Sequence, residues 1–319
     1  MSGQTASNHI PIDVVIPAHQ AESTIREAIL SAQRQTLRPN EIFVVADACT
    51  DRTAEIAESL NVHVIEIDLA SVGAARNQGI ELGSSPWIAF LDADDLWKES
   101  WLENAAKSIS SAPDSALIFG RVHEQDAFGK TVATSPEMDI HGDVFDALFK
   151  QNFIYTQAVL AKRDEIVRAG FFAEDLQQAE DLDLWLRLAV SGKFSPVSGV
   201  HVILRRTTGS LTRTPSSLHQ VRNNALKVIG RAAGRRAVST EQMRSAVANM
   251  YVQSAQRFLS FGRRYDARQD LQKALVLFPH RLDWWAMAGY STLPAESQDF
   301  LLRCRQTLRL RIHDSHSER

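Results

Sequence analysis

The chain has 319 residues, of which 44% are apolar and 23% charged, and its formal net charge is −3. This composition is typical of a globular protein of one large domain or a domain and a half, and the balanced charge argues against a nucleic-acid partner. Residues 1–11 carry no secretion signal and are expected to be flexible. No apolar run approaches the roughly 20 residues of a membrane-spanning helix, so we expect a cytoplasmic protein.

Strand and helix patterns alternate in the first 95 residues. Continuous apolar runs of strand length lie at residues 13–18, 41–47, 62–67 and 87–92. The segments between them have helical spacing, and in the first of these Thr24 and Glu27 are placed to form a capping box. This alternation predicts parallel strands joined by crossover helices. Open sheets of this kind bind ligands at the carboxyl ends of their strands.

Three carboxylates, Asp92, Asp94 and Asp95, follow the fourth apolar run at this predicted binding edge. One of them is explained as the N-cap of a helix predicted from Leu96 onward. Three are not, because like charges this close repel and raise one another's pKa. A divalent cation such as Mg²⁺ or Mn²⁺ would relieve the repulsion, since both prefer oxygen ligands. The spacing alone leaves capping and metal binding open.

The remainder of the chain divides at about Pro215. Before this point the pattern predicts a hairpin around Phe128–Gly129, a strand over residues 154–163, a helix stopped by Gly170, an amphipathic helix from residue 179 and a strand from residue 200. After it only helical patterns occur, and the segment around Gly262 resembles a single tetratricopeptide-type helix pair. One such pair cannot bury its own apolar face. We therefore expect residues 215–319 to pack on the main domain, or to contact a partner or a second copy.

Six stretches between residues 12 and 212 together resemble glycosyltransferase family 2. They are VVIPAHQAESTIREAILSAQRQT, FVVADACTDRT, GAARNQGI, WIAFLDADD, GDVFDALFKQNFIYTQAVLAKRDEIVRAGFF and AEDLDLWLRLA, in the family's order. The resemblance implies an α/β GT-A fold, a Rossmann-like mixed and mostly parallel sheet flanked by helices, here with an α-helical C-terminal appendage. It implies a transferase domain at residues 12–214, with a nucleotide-sugar half at about 12–95 and an acceptor half at about 96–214.

The same resemblance implies roles for individual residues. The DAD stretch matches the DxD motif, so Asp94, with Asp92, is expected to bind a divalent metal ion, Mn²⁺ or Mg²⁺. Glu180 and Asp181 match the acceptor-side pair, in which Asp181 is the general base. The residues expected to bind the donor nucleotide are Pro17, Ala18, Glu22, Asp47, Arg76, Asp92, Arg205 and Ser210.

Simpler explanations compete with some of these roles. Asp47 could end its strand in an Asx turn, and Arg76 could pair with an acid on an exposed helix. Glu180 and Asp181 could offset a helix dipole. The sequence also departs from the family pattern at three places, and these bear on nucleotide choice and metal affinity. They are Ala46 in place of an aspartate, His19–Gln20 in place of Tyr-Asn, and Thr207 in place of a histidine.

The implied function is inverting transfer of a sugar from a nucleoside diphosphate, most simply UDP, to a hydroxyl group. The acceptor would be a glycan, a lipid-linked saccharide or another cell-surface precursor, and a lipid-linked acceptor would bring the enzyme to the inner face of a membrane. A sugar nucleotidyltransferase is disfavoured, because the PAHQAES loop has neither glycine nor lysine. The alternative that is not an enzyme is a degenerate transferase that acts as a scaffold through its helical tail. Ala46 and Thr207 keep it open, because they depart from the family pattern.

Overall fold

The computed structural model describes residues 10–206 and 217–292. Their strands are β1 (Ile12–Ala18), β2 (Glu41–Asp47), β3 (His63–Ile67), β4 (Trp87–Phe90), β5 (Leu96–Trp97), β6 (Ser115–Gln125), β7 (Thr131–Thr134), β8 (Val159–Lys162) and β9 (Lys193–Arg205). Their α-helices are α1 (Ile25–Gln33), α2 (Thr53–Glu58), α3 (Val72–Leu82), α4 (Trp101–Ser111), α5 (Phe145–Lys150), α6 (Arg163–Ala169), α7 (Glu180–Ala189), α8 (Leu218–Arg235), α9 (Thr240–Ser260), α10 (Arg264–Leu277) and α11 (Leu282–Tyr290).

The nine strands form one mixed sheet in the order β3-β2-β1-β4-β8-β6-β9-β5, with β7 pairing on β6. The first four strands are parallel, as their alternation with helices predicts. β8 runs antiparallel to β4 and to β6, whereas β9 runs parallel to β6. The predicted GT-A architecture is confirmed. Every residue of β1 and β4 is buried, which explains why these strands appear in the sequence as unbroken apolar runs.

Helices cover both faces of the sheet over two hydrophobic clusters. One is built around Trp185, Phe145 and Phe149, and the other around Trp101 and Ile25. Helix α3 packs closely on the sheet at Gly79, where an added Cβ would come within 2.5 Å of Val15. This close approach fixes the height of α3 above β1, and α3 carries one of the site residues.

The structure corrects the sequence-based expectations at two helix starts. The helix predicted from Leu96 begins only at Trp101, after Ser100, so neither Asp94 nor Asp95 is its N-cap. Leu96–Trp97 instead forms β5, which pairs antiparallel with β9. At α1, Thr24 is the N-cap residue but makes no side-chain cap hydrogen bond. The predicted capping box is therefore wrong, and Glu27 contacts another residue, Arg205.

The C-terminal helices pack on the main domain and on one another. Ala225, Val228 and Ile229 of α8, with Met250 of α9, belong to the same hydrophobic cluster as Trp185. Helices α9 and α10 pack together across a turn at Gly262, whose φ of +68° is left-handed. The predicted strand over residues 154–163 is shorter than expected, because a 3-10 turn, Thr156–Ala158, precedes β8. Among the described residues, no helix is long and apolar enough to span a bilayer.

Candidate active site

The acidic stretch lies at the carboxyl edge of β4, as predicted. Asp92 follows the strand and keeps 26% of its side chain exposed. One of its carboxylate oxygens accepts a hydrogen bond from Arg76 Nη2 at 2.9 Å, and the other accepts one from the amide of Gln157. Gln157 sits in the 3-10 turn before β8, the strand that pairs with β4. Asp92 is thus held from both sides.

Arg76 connects this edge to Glu180, the first residue of α7. It projects from α3, is only 4% exposed, and binds Asp92 with Nη2 and Glu180 Oε1 with Nη1 at 2.7 Å. Its guanidinium also lies 5.3 Å from the centre of the Phe172 ring. Burial alone would lower the pKa of Arg76, but the carboxylates of Asp92 and Glu180 outweigh burial and raise it. The alternative of an exposed surface ion pair is wrong for this residue.

Glu180 and Asp181 open helix α7. The preceding residue, Ala179, has a left-handed φ of +64°, a strained conformation that turns the chain sharply into the helix. Asp181 accepts hydrogen bonds from the Leu182 amide at 2.7 Å and from Asn152 Nδ2 at 3.3 Å. Burial raises the pKa of both acids, while the positive charge of Arg76 opposes the rise. A carboxylate with a raised pKa suits proton abstraction.

Asp47 ends β2 with its carboxylate turned onto the loop before α3. It accepts three backbone hydrogen bonds, from Leu69 at 2.8 Å, Ala70 at 2.9 Å and Ser71 at 2.7 Å. These contacts set the path of the chain into the helix that carries Arg76. In this conformation Asp47 therefore organises a loop, and donor contact stays a prediction for it.

The other residues predicted to bind the nucleoside lie at the end of β1 and just beyond it. Pro17 and Ala18 are buried in the strand. Glu22 is exposed, and its carboxylate accepts a hydrogen bond from the Arg52 amide at 3.2 Å. His19, one of the departures from the family pattern, lies 2.7 Å through Nδ1 from the carbonyl oxygen of Asp47. The loops after β1 and β2 are thus tied together.

Arg205 ends β9 beside the acidic stretch. Its backbone amide donates to Asp95 Oδ1 at 2.9 Å, its Nε to the carbonyl oxygen of Asp94, and its Nη1 to Glu27. Its Nη2 is buried and has no hydrogen-bond partner among the described residues. Burial, with the neighbouring charges of Asp94 and Asp92, raises the pKa of Asp95 well above its usual range. Two other predicted positions, Thr207 and Ser210, lie outside the described residues.

The carboxylates could hold a divalent cation only if water and a bound substrate supplied the remaining ligands. Within residues 10–206 and 217–292, no three metal-ligating side chains gather into a closed cage. Both oxygens of Asp92 already accept hydrogen bonds, and Asp94 is partly exposed at the same edge. Magnesium commonly binds through one or two carboxylates and completes its coordination with water and substrate phosphates. The oxygen donors at this edge are of that kind.

Two site residues could not be assigned from the sequence. Gln157 binds Asp92 and Asn152 binds Asp181, yet an amide side chain in a loop carries no motif. Both belong to one segment between α5 and β8, so this segment contacts Asp92 and the Glu180–Asp181 pair together. A cavity of about 290 Å³ lies next to it, lined by Phe153 together with Phe119 and Arg121 of β6.

Comparison with known proteins identifies the family. Residues 13–171, about half of the chain, match the model of glycosyl transferase family 2. The chain belongs to glycosyltransferase family 2. The predicted resemblance is therefore confirmed, and the Asp92–Asp94 edge lies within the matched region. The Glu180–Asp181 pair lies just beyond it.

Curated relatives are about a quarter identical to this transferase over the aligned residues. The amylovoran biosynthesis glycosyltransferase AmsB of Erwinia amylovora is 27% identical over 217 residues, which cover 61% of this chain and 71% of AmsB. Glycosyltransferase AglE of Haloferax volcanii is 27% identical over 192 residues, or 58% of this chain and 62% of AglE. The uncharacterized glycosyltransferase EpsJ of Bacillus subtilis is 28% identical over 187 residues, 53% of each chain.

Solved structures of TarS from S. aureus share the fold of this transferase. TarS 1–349 in complex with UDP-GlcNAc superposes with a TM-score of 0.63 at 18% identity, covering 86% of this chain and 83% of TarS. The complex with UDP gives a TM-score of 0.60 at 20% identity, covering 86% and 82%. At this identity the likeness establishes the GT-A fold alone.

Proposed function

We propose that this transferase moves a sugar from a nucleoside diphosphate, most simply UDP, to an acceptor hydroxyl with inversion at the anomeric carbon. The observation that carries the proposal is the double ion pair of Arg76. It joins Asp92, at the edge where a parallel sheet binds its ligand, to Glu180, next to the predicted base. One buried guanidinium thereby fixes the position of Asp92, on the proposed donor side, relative to Glu180, on the proposed acceptor side.

The donor would lie along the edge formed by the ends of β1, β2 and β4. UDP and UDP-GlcNAc bind to TarS, which shares this fold, and this favours a uridine nucleotide for the present chain. The buried Nη2 of Arg205 offers a hydrogen-bond donor beside Asp94, suited to an oxygen of the departing diphosphate. Arg205 would stabilise the negative charge that develops there as the bond to the sugar breaks.

Asp181 would act as the general base. It would take the proton of the acceptor hydroxyl while that oxygen attacks the anomeric carbon and the bond from this carbon to the diphosphate breaks. Asn152 orients the carboxylate, and Glu180, fixed by Arg76, holds the start of α7. A single base and no carboxylate nucleophile correspond to direct displacement, which inverts the configuration.

Asp94, with Asp92, would hold a divalent cation, Mn²⁺ or Mg²⁺, together with the donor. When bound, such an ion neutralises charge on the leaving diphosphate. The acceptor would enter from the side of Asn152 and the cavity at Phe153. A glycan or a lipid-linked saccharide fits this role, and a lipid-linked acceptor would place the enzyme at the inner face of a membrane.

Calorimetric titration of UDP, GDP and ADP, with and without Mn²⁺, tests this proposal. We expect UDP to bind with Mn²⁺ and Asp94→Ala to lose that binding. Asp181→Asn should keep UDP binding and lose about 10²–10⁴-fold in transfer rate, the usual contribution of a general base. Asp114→Asn, which changes an exposed aspartate at the opposite edge of the sheet, is the matched control.

Each contrary result removes a defined part of the proposal. Binding of another nucleotide would replace the donor. Wild-type transfer by Asp181→Asn would overturn the assignment of the base. No nucleotide binding in any condition would favour the scaffold.

A further inference from the structure

Charge is divided unevenly between the two described parts of the chain. Residues 10–206 contain 17 Lys and Arg against 30 Asp and Glu, a net charge of −13 with histidine neutral. Residues 217–292 contain 12 Lys and Arg against 4 Asp and Glu, a net charge of +8. The overall value of −3 therefore hides a cationic helical region beside an anionic transferase domain. Asymmetry of this size points to an anionic partner for the helices.

Part of this positive charge holds the helices to the transferase domain. On α8, Arg231 pairs with Asp175 and Arg235 with Asp183 at 3.3 Å, and Arg236, the residue after α8, pairs with Asp143 at 2.7 Å. These pairs account for the arginines at the end of α8. A separate group of arginines lies at the far end of α9 and the start of α10.

The turn between α9 and α10 concentrates arginine with exposed aromatic side chains. Tyr265 is 73% exposed and Phe261 is 39% exposed. Between residues 255 and 269 there are four arginines and one acid, Asp266, which Arg263 and His219 already engage at 2.8 and 3.3 Å. A Cβ added at Gly262 would meet nothing within 4 Å, so the tip of the turn projects into open space. We name this the turn surface: Arg257, Phe261, Arg263, Arg264, Tyr265 and Arg268.

We propose that the turn surface docks on an anionic lipid bilayer. Aromatic side chains favour the headgroup region, and arginines beside them pair with lipid phosphates. Each basic residue near an anionic leaflet contributes about a fivefold gain in affinity. The transferase domain, with its net charge of −13, is repelled by the same leaflet, so the two parts together orient the molecule.

Docking at this place would serve the acceptor side of the site. Burial and the charge of Glu124 raise the pKa of Tyr155, and the positive charge of Arg257, a residue of the turn surface, opposes them. Tyr155 belongs to the segment that carries Asn152 and Gln157. Helix α9 also donates a hydrogen bond from Asn249 to the carbonyl oxygen of Lys150, just before this segment. That docking brings the enzyme to a lipid-linked acceptor rests on the proposed function. The docking of the turn surface on a bilayer does not depend on it.

Co-sedimentation of the full chain with vesicles tests the inference. We expect binding to phosphatidylcholine vesicles that contain phosphatidylglycerol, little binding to phosphatidylcholine alone, and loss of binding as salt rises. Arg268→Gln should lower the partition coefficient about fivefold, and Tyr265→Ala should lower it as well. Two matched controls should bind like the wild type. Lys227→Gln removes a charge from α8, and Leu282→Ala removes an 80% exposed apolar side chain about 20 Å away along α10.

Several results would overturn the docking surface. They are equal binding to both kinds of vesicle, no binding to either, an equal loss with Lys227→Gln, and tighter binding to single-stranded RNA than to the anionic vesicles. Thermal unfolding of each variant separates a docking defect from a folding defect. Asp181→Asn should bind vesicles like the wild type. Absent vesicle binding with normal UDP binding would remove the docking surface alone, and full transfer by Asp181→Asn would remove the proposed base alone.

Discussion

A single buried side chain, Arg76, sets the electrostatics of both sides of the site. Its positive charge lies against Asp92 and Glu180, and it lowers the pKa of Asp181, which burial raises. The general base must be ionised to accept a proton, so activity falls as pH drops through its pKa. Whatever moves that pKa moves the acidic limb of the pH profile.

Replacing Arg76 with Gln should therefore shift the acidic limb of kcat/KM to higher pH. The variant keeps a hydrogen-bonding side chain but loses the charge that favours ionised Asp181, so the pKa of the base rises further. The measurement is kcat/KM against pH for wild type and variant. Arg52→Gln, which removes an exposed arginine paired with Glu55, is the control and should leave the limb in place. An unmoved limb in Arg76→Gln would show that Arg76 does not act on the base.

At the scale of elements, the short strand β5 ties the acidic stretch to β9. Asp95 is 4% exposed and accepts the Arg205 backbone amide, so the turn after β4 and the end of β9 form one unit. Asp95→Ala should cost about 1–3 kcal/mol of unfolding free energy, because it leaves that amide without its acceptor. Asp95→Asn retains an oxygen at this position and should cost less. Denaturant unfolding of both variants measures the difference, and equal losses would contradict the role of the hydrogen bond.

The sequence predicts strands that are buried along their whole length. It does not predict elements whose hydrogen-bonding partners lie far away in the sequence. Strands β1, β2 and β4 are predicted because parallel strands buried on both faces are continuously apolar. At Leu96–Trp97 the local pattern predicts a helix, because the strand partners in β9 are about 100 residues away and leave no local signal. The contacts of Gln157 with Asp92 and of Asn152 with Asp181 likewise join residues from different elements, so no local pattern predicts them. The motifs single out Asp92 and Glu180, but the contacts of these two residues with Arg76 depend on how α3 and α7 pack.

At the scale of the whole molecule, the C-terminal helices are part of the transferase core. Val228 and Ile229 of α8 are buried in the cluster that contains Trp185, a residue of the helix that opens with the predicted base. An ion pair of Arg222 with the buried Asp270, at 2.7 Å, then joins α8 to α10. At Pro215 the sequence pattern changes from alternating strands and helices to helices alone. The hydrophobic core nevertheless continues beyond this residue into α8 and α9.

A chain that ends at residue 214 should therefore be strongly destabilised. It loses the burial of Val228, Ile229 and Met250, and it uncovers the side of α7 on which α8 packs. Burying one such side chain contributes about 1.5–3 kcal/mol, so the combined loss approaches the 5–15 kcal/mol that stabilises a typical domain. The test is thermal unfolding of the chain cut at 214, with a chain cut at 292 as the control that keeps α8 to α11. If the chain cut at 214 unfolds cooperatively at the temperature of the control, residues 12–214 are an independent domain and the helices are an accessory to it.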